Sequence, residues 1–188
     1  MNSAKVEALV RELLVEIGED PGREGLLKTP GRVARALEFL TSGYRGDAAQ
    51  IVHQAVFAQR THNMVIARDI ELYSLCEHHV LPFFGRAHIG YVAQGRVIGV
   101  SKLARLVDHF ARRLQIQERL TEEVASAVLE AVKADGVGVV VEAQHLCMMM
   151  RGVEKQNSMM TTSSVLGSFR RSVATRTEFL TLIDQRHL

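Results

Sequence analysis

With two cysteines, three prolines, no tryptophan and almost no net charge, the chain excludes several classes of protein at the outset. Cys76 and Cys147 cannot build the multi-bridge scaffold of a small secreted domain. In a reducing compartment they read as metal ligands, a reactive thiol or inert core. Three prolines and 14 glycines in 188 residues exclude collagen-like and low-complexity chains. No apolar run approaches the roughly 20 residues that span a bilayer. Val137–Val141 and Cys147–Met150 are the most apolar stretches, and both are far too short. Met1–Val10 carries Lys5 and Glu7 and lacks the apolar core and cleavage site of a secretory leader. A net charge of +2 does not mark a nucleic-acid binder. Together these absences predict a cytoplasmic chain with neither a membrane nor a nucleic-acid partner.

What is present is ordinary for a globular protein, with 47% hydrophobic and 23% charged residues, enough to bury one core. The 18 arginines against 5 lysines offer planar forks for phosphate, although a GC-rich coding bias gives the same ratio. Val6, Leu9, Val10, Leu13, Leu14 and Ile17 recur at helical spacing up to Gly18. Thr29-Pro30 reads as an N-cap followed by proline at the first helical position, and Val33, Ala36, Leu37 and Leu40 form the stripe of a second helix that Gly43 stops. From residue 52 to 100 the pattern turns to strands, although residues 64–72 alternate imperfectly. Arg86–Val92 and Val97–Val100 flank Ala93-Gln94-Gly95-Arg96, which predicts a hairpin. Ser101 caps the next predicted helix. Gln117–Lys133 forms a longer one closed by Asp135-Gly136, and Val137–His145 and Met159–Leu166 read as strands before a last helix at Thr175–Ile183. The order predicts an α+β fold, with a helical region over residues 1–50 and the main domain over 51–188.

The sharpest local signal is Cys76-Glu77-His78-His79, with His145-Leu146-Cys147 as a distant partner. Zinc favours sulfur and imidazole ligands, but residues 76 and 79 reach one ion only if the chain turns between them. Pro82 and a strand ending near Leu75 favour that turn. His145 and Cys147, two apart on a predicted strand, share a face. The candidate ligands are therefore Cys76, Cys147 and one or both of His78 and His79, with His145 in reserve. Adjacent histidines strain to bind one ion together, which favours three ligands and an open position for water. Such a site supplies a nucleophile near neutral pH. His78 and His145 are then candidates for proton transfer or for orienting a ligand. With no metal at all, the cysteines are small buried hydrophobes.

A second group of residues suits phosphate. Ser101-Lys102-Leu103-Ala104-Arg105 opens a helix directly after a strand, where backbone N–H groups favour anions. Arg151 follows Cys147 by four residues, and Arg32 stands in the first turn of its helix. Singly, each reads as a solvated surface charge. Glu118, beside Gln117, begins a helix, where a carboxylate also complements the dipole. Neither a G-x-x-x-x-G-K-[ST] loop nor the deaminase pattern H-x-E…P-C-x-x-C is present.

Four segments, Cys76-Glu-His-His79, Val100-Ser-Lys-Leu-Ala-Arg105, Gln115-Ile-Gln-Glu-Arg-Leu120 and Gln144-His-Leu-Cys-Met-Met-Met-Arg-Gly152, stand in order and spacing that resemble GTP cyclohydrolase I. The likeness runs from about Gly25 to Ile183. It implies zinc held by Cys76, His79 and Cys147, with His78 outside the coordination sphere. Water activated by the metal would attack guanine C8 while His78 protonates N7, and a second hydrolysis would release formate. His145, with Ser101 nearby, would assist the later ribose rearrangement that leads to 7,8-dihydroneopterin triphosphate. Glu118, supported by Gln117, would grip the guanine N–H edge, and Lys102, Arg105, Arg151 and Arg32 would hold the triphosphate. Arg35 falls where family members vary between lysine and uncharged residues. The resemblance also implies a tunnelling fold, in which antiparallel sheets from several subunits close into a barrel, and a toroidal homodecamer with GTP sites at subunit interfaces.

Two other readings fit parts of the pattern. One keeps the metal but acts on another purine nucleotide or by deamination. The other makes zinc a four-ligand staple in an oligomeric binding module.

Overall fold

A computed structural model describes residues 1–184, so the last four residues of the expected 51–188 domain lie outside it. Two compact units divide the chain, Met1–Ser42 and the part from Gly43 onward.

The first unit pairs α1 (Ser3–Glu16) with α2 (Thr29–Leu40). Asn2 caps α1 by accepting from the Lys5 N–H at 3.0 Å. The expected Thr29 cap is corrected by one residue. Lys28 is the N-cap and makes no side-chain bond, with Pro30 in the first turn. The cause is local: Lys28 already has helical dihedrals and Thr29 N–H donates to Leu26 O, so the chain enters the helix through a turn. A side-chain cap requires an extended residue there.

The second unit runs α3 (Ala48–Val52), β1 (Val56–Ala58), β2 (Met64–Cys76), β3 (Pro82–Val92), β4 (Arg96–Ile98), α4 (Val100–Ala111), β5 (Leu114–Gln115) and α5 (Gln117–Val132). It continues through β6 (Gly136–His145), α6 (Leu146–Met149), β7 (Met160–Gly167), α7 (Ser168–Arg171) and α8 (Val173–Asp184). The mixed α+β class is as expected. Five strands form one sheet in the order β5-β2-β3-β6-β7, antiparallel except for the short β2–β5 pairing.

The imperfect alternation over 64–72 has a structural cause. The β2–β3 register shifts between Ala67 and Ile70, where Asp69 adopts φ 57° in a bulge. The predicted hairpin across residues 93–96 does not form. β3 is paired on both edges as far as Val92, opposite Met64 and Gly136, so the following segment finds no free edge there. β4 instead pairs with β1 in a separate two-stranded sheet. Gly99, extended at φ −60° and ψ 131°, replaces Ser101 as the cap of α4, and Ser101 lies inside the helix. Lys133 in the left-handed region, rather than Asp135-Gly136, ends α5. Gly136 serves a different need, since a Cβ there would lie 2.4 Å from Ser168 Oγ and 2.7 Å from Leu166 O.

Leu103, Leu106 and Val107 of α4 and Leu120, Val124 and Val128 of α5 are fully buried with Leu72, Ile89, Val139 and Val141 of the sheet. Each such side chain contributes roughly 1.5–3 kcal/mol. Phe169 and Phe179 cover part of the other face, against Val140. They approach so closely that a Cβ at Gly138 would sit 2.5 Å from Phe169, and one at Gly90 2.6 Å from Phe179. Among the described residues no helix is long and apolar enough to cross a membrane.

Candidate metal centre and active site

The end of β2 delivers Cys76 into the buried side of the sheet, and the chain then reverses at once. Val80 N–H donates to Cys76 O at 2.8 Å, Cys76 N–H donates to Leu81 O at 2.8 Å, and Val80 takes φ 55°. This is the turn that the 76/79 spacing demands. It brings the Nδ1 atoms of His78 and His79 to 3.7 and 4.0 Å from Cys76 Sγ. Cys147 arrives from the opposite direction. β6 stops at His145, and Cys147 lies in the single turn of α6, so the expected shared strand face of His145 and Cys147 is corrected. One donor atom from each of Cys76, His79 and Cys147 lies within 4.8 Å of the others, which makes these three residues a possible metal site.

The donor chemistry fits a borderline divalent ion. Two thiols and one imidazole leave one vertex of a tetrahedron free, the composition of an open site. Both cysteines are free of disulfides. Burial and the adjacent Cys76 sulfur push the Cys147 thiol up. The Arg151 guanidinium donates to His79 Nε2 at 3.0 Å, so a cation borders the cluster. Two further bonds brace the turn: Glu77 N–H donates to Gln115 O at 3.0 Å, and Arg119 donates to the Glu77 carboxylate.

His145 belongs to a neighbouring, buried network. Its ring stacks on Phe83 with centroids 4.6 Å apart and planes 6° from parallel. Nε2 lies 2.8 Å from Oε1 of Gln117. Burial lowers the His145 pKa, and the Glu118 charge opposes that shift. Gln117 is fully buried on the first turn of α5, while Glu118 beside it is exposed. Ser101, Lys102 and Arg105 occupy the first two turns of α4 and make no hydrogen bond or ion pair with the cysteine–histidine cluster among the described residues. Arg32 and Arg35 stand on α2 in the first unit, both exposed.

Sequence reading alone overlooks Phe83, Arg119, Thr121 and Thr162. Phe83 is found only through the β3–β6 register, which pairs it with His145. The partners of Gln117 come from β6 and β7, at sequence separations that carry no local signal.

An α+β chain that gathers two thiols and an imidazole beside a histidine and an arginine has a group that could hold a metal ion next to side chains that carry protons, equipment that suits a hydrolytic enzyme. Comparison with known proteins makes the assignment particular. Residues 6–184 match the family model described as GTP cyclohydrolase I. The chain is 60% identical to GTP cyclohydrolase 1 of Leptospira biflexa over 178 residues, covering 95% of this chain and 97% of that one. It is also 60% identical over 181 residues to the enzyme of that name from Methylococcus capsulatus, covering 96% and 98%. Against GTP cyclohydrolase 1 1 of Pseudomonas aeruginosa it is 62% identical over 175 residues, covering 93% and 94%. The chain belongs to the GTP cyclohydrolase I family.

Proposed function

We propose that this chain hydrolyses GTP to formate and 7,8-dihydroneopterin triphosphate, the first step of tetrahydrofolate-type pterin biosynthesis. The observation that carries the reading is the convergence of Cys76, His79 and Cys147 in a chain of this family. These three residues would hold zinc, which when bound supplies a Lewis acid that activates water. His78, exposed beside the cluster with Nδ1 3.7 Å from Cys76 Sγ, holds the proton given to guanine N7 as the imidazole ring opens. His145 and Ser101 move protons in the later ribose rearrangement. The Glu118 carboxylate accepts from two N–H groups of guanine, a pairing that adenine would leave unmade.

Lys102, Arg105, Arg151 and Arg32 supply the positive charge that a triphosphate requires. Arg151 already borders the cluster through His79. We assign the chain a tunnelling fold whose sheets join across subunits into a barrel, in a toroidal homodecamer with the sites at its interfaces. Two unpaired cysteines suit a reducing cytoplasm.

The test is incubation of the zinc-loaded protein with GTP, following formate and pterin together, with and without a chelator. Equimolar formate and pterin that the chelator abolishes support the reading. Ammonia release without formate, or a closed four-ligand metal shell by X-ray absorption, overturns it.

A further inference from the structure

Gln117 has the most constrained side chain near the site. Its amide nitrogen lies 2.9 Å from Val141 O, 2.9 Å from Met160 O and 3.2 Å from Thr162 Oγ1. Backbone carbonyls only accept, so the atom facing them must be the nitrogen and the amide cannot be flipped. The hydroxyls extend the same constraint. Thr121 Oγ1 donates to Gln117 O at 2.7 Å, which spends its single hydrogen. Thr162 Oγ1, 2.7 Å from Thr121 Oγ1, therefore donates to it and accepts from Gln117.

With the amide orientation settled, Oε1 is left facing His145 Nε2 at 2.8 Å, and a carbonyl oxygen can only accept. The hydrogen of the neutral imidazole therefore sits on Nε2, and the lone pair on Nδ1. Nδ1 has no hydrogen-bond partner among the described residues. Stacking on Phe83 holds the plane of the ring, and a 180° flip within that plane would replace Nε2 by a carbon opposite Oε1 and lose the 2.8 Å bond. A guanine edge finds no unused hydrogen-bonding group on Gln117, which is 1% exposed.

We propose that Gln117 is a positioning residue that acts through His145: it keeps Nε2 as the hydrogen-bearing nitrogen, presents Nδ1 to the reacting sugar, and does not touch the base. This rests on the reading of His145 as a proton carrier and replaces the base-gripping role expected of Gln117. Loss of a partner that orients a functional imidazole costs on the order of 10- to 100-fold.

The experiment uses the zinc-loaded protein and GTP. Gln117→Met should lower kcat for pterin formation about 10- to 100-fold, with KM within about twofold and zinc content unchanged. The double variant Gln117→Met/His145→Ala should be no slower than His145→Ala alone, because a group acting through His145 has nothing left to position. A raised KM with unchanged kcat would show a base contact and overturn the proposal. So would a double variant slowed by the product of the two single effects, or a lowered melting temperature with normal kcat.

Should Gln117→Met fail to fold, Thr162→Val should give a weaker form of the same split and Thr162→Ser should restore it. An unchanged kcat in Thr162→Val would then overturn the proposal. A wild-type protein that releases no formate from GTP would sink the functional reading, whereas active wild type with an unaffected Gln117 variant would sink this inference alone.

Discussion

The cysteine–histidine corner and the Gln117 network lie at the same end of the sheet but are built on opposite plans. In the corner, three donors, two thiols and an imidazole, face one another across less than 5 Å, and His79 is exposed. In the network, every hydrogen of the Gln117 amide has an acceptor and the two threonine hydroxyls are ordered in one direction. The corner draws its donors from three places, the buried end of β2, the turn that follows it and the one-turn helix α6. The network ties α5 to β6 and β7 through buried hydrogen bonds. Under the proposed function, holding an ion and aiming an imidazole thus fall to different kinds of structure.

The largest expected effect separates the two regions outright. Cys147→Ala should abolish zinc binding and formate release, while the melting temperature stays close to that of chelator-treated wild type. Unfolding of that variant would show that the corner is structural after all. His78→Ala should retain stoichiometric zinc by atomic absorption yet lose about 10²–10⁴-fold in kcat. Metal loss would instead make His78 a ligand. Glu118→Gln should weaken GTP binding by about 10- to 100-fold, on the order of 1–3 kcal/mol, and leave inorganic triphosphate binding unchanged in calorimetry. Equal losses for both ligands would remove Glu118 from base recognition.

On the network side, Thr121→Val should cost roughly 1–3 kcal/mol in chemical denaturation, because it strips a partner from buried groups, with zinc content unaltered. The smallest effect concerns pH. His109 packs on Phe110 and lies 2.6 Å from the Arg113 guanidinium. Burial first, then the Arg113 charge, lower its pKa. The folded protein thus favours the neutral ring, and this contribution is fully present above the unfolded value of about 6.5 and lost as pH falls through the lower folded value. Thermal melts from pH 7.5 to 5 should show a decline that is smaller in His109→Gln, and identical slopes would remove this group from the acid response.

The corner was the more legible of the two regions. Cys-x-x-His with a proline nearby is local information, and the demand that the chain turn between residues 76 and 79 follows from strand geometry alone. The α+β class also followed, because periodicity marks a helix or strand even where its neighbours are unknown. What failed depended on pairing. The hairpin over residues 93–96 looked sound locally but needed an edge of β3 that β2 and β6 already occupied. His145 and Cys147 seemed to share a strand face because nothing in the sequence announces the single turn of α6. Gln117 read only as a support for Glu118 in holding the base, since Val141, Met160 and Thr162 reach it only after β6 and β7 have found their register.

β3 contributes neither a metal donor nor a proposed proton carrier, yet it behaves as the ruler of the active site. β2, which ends in Cys76, lies along one side of it, and β6, which ends in His145, lies along the other. Phe83 marks both scales at once, opposite Ser74 on one side and His145 on the other. A one-residue slip along either edge would turn a thiol or an imidazole to the wrong side of the sheet. The geometry of the chemistry is therefore set in part by a strand that carries none of the proposed reacting groups, and substitutions that loosen its pairing should harm turnover before they harm folding.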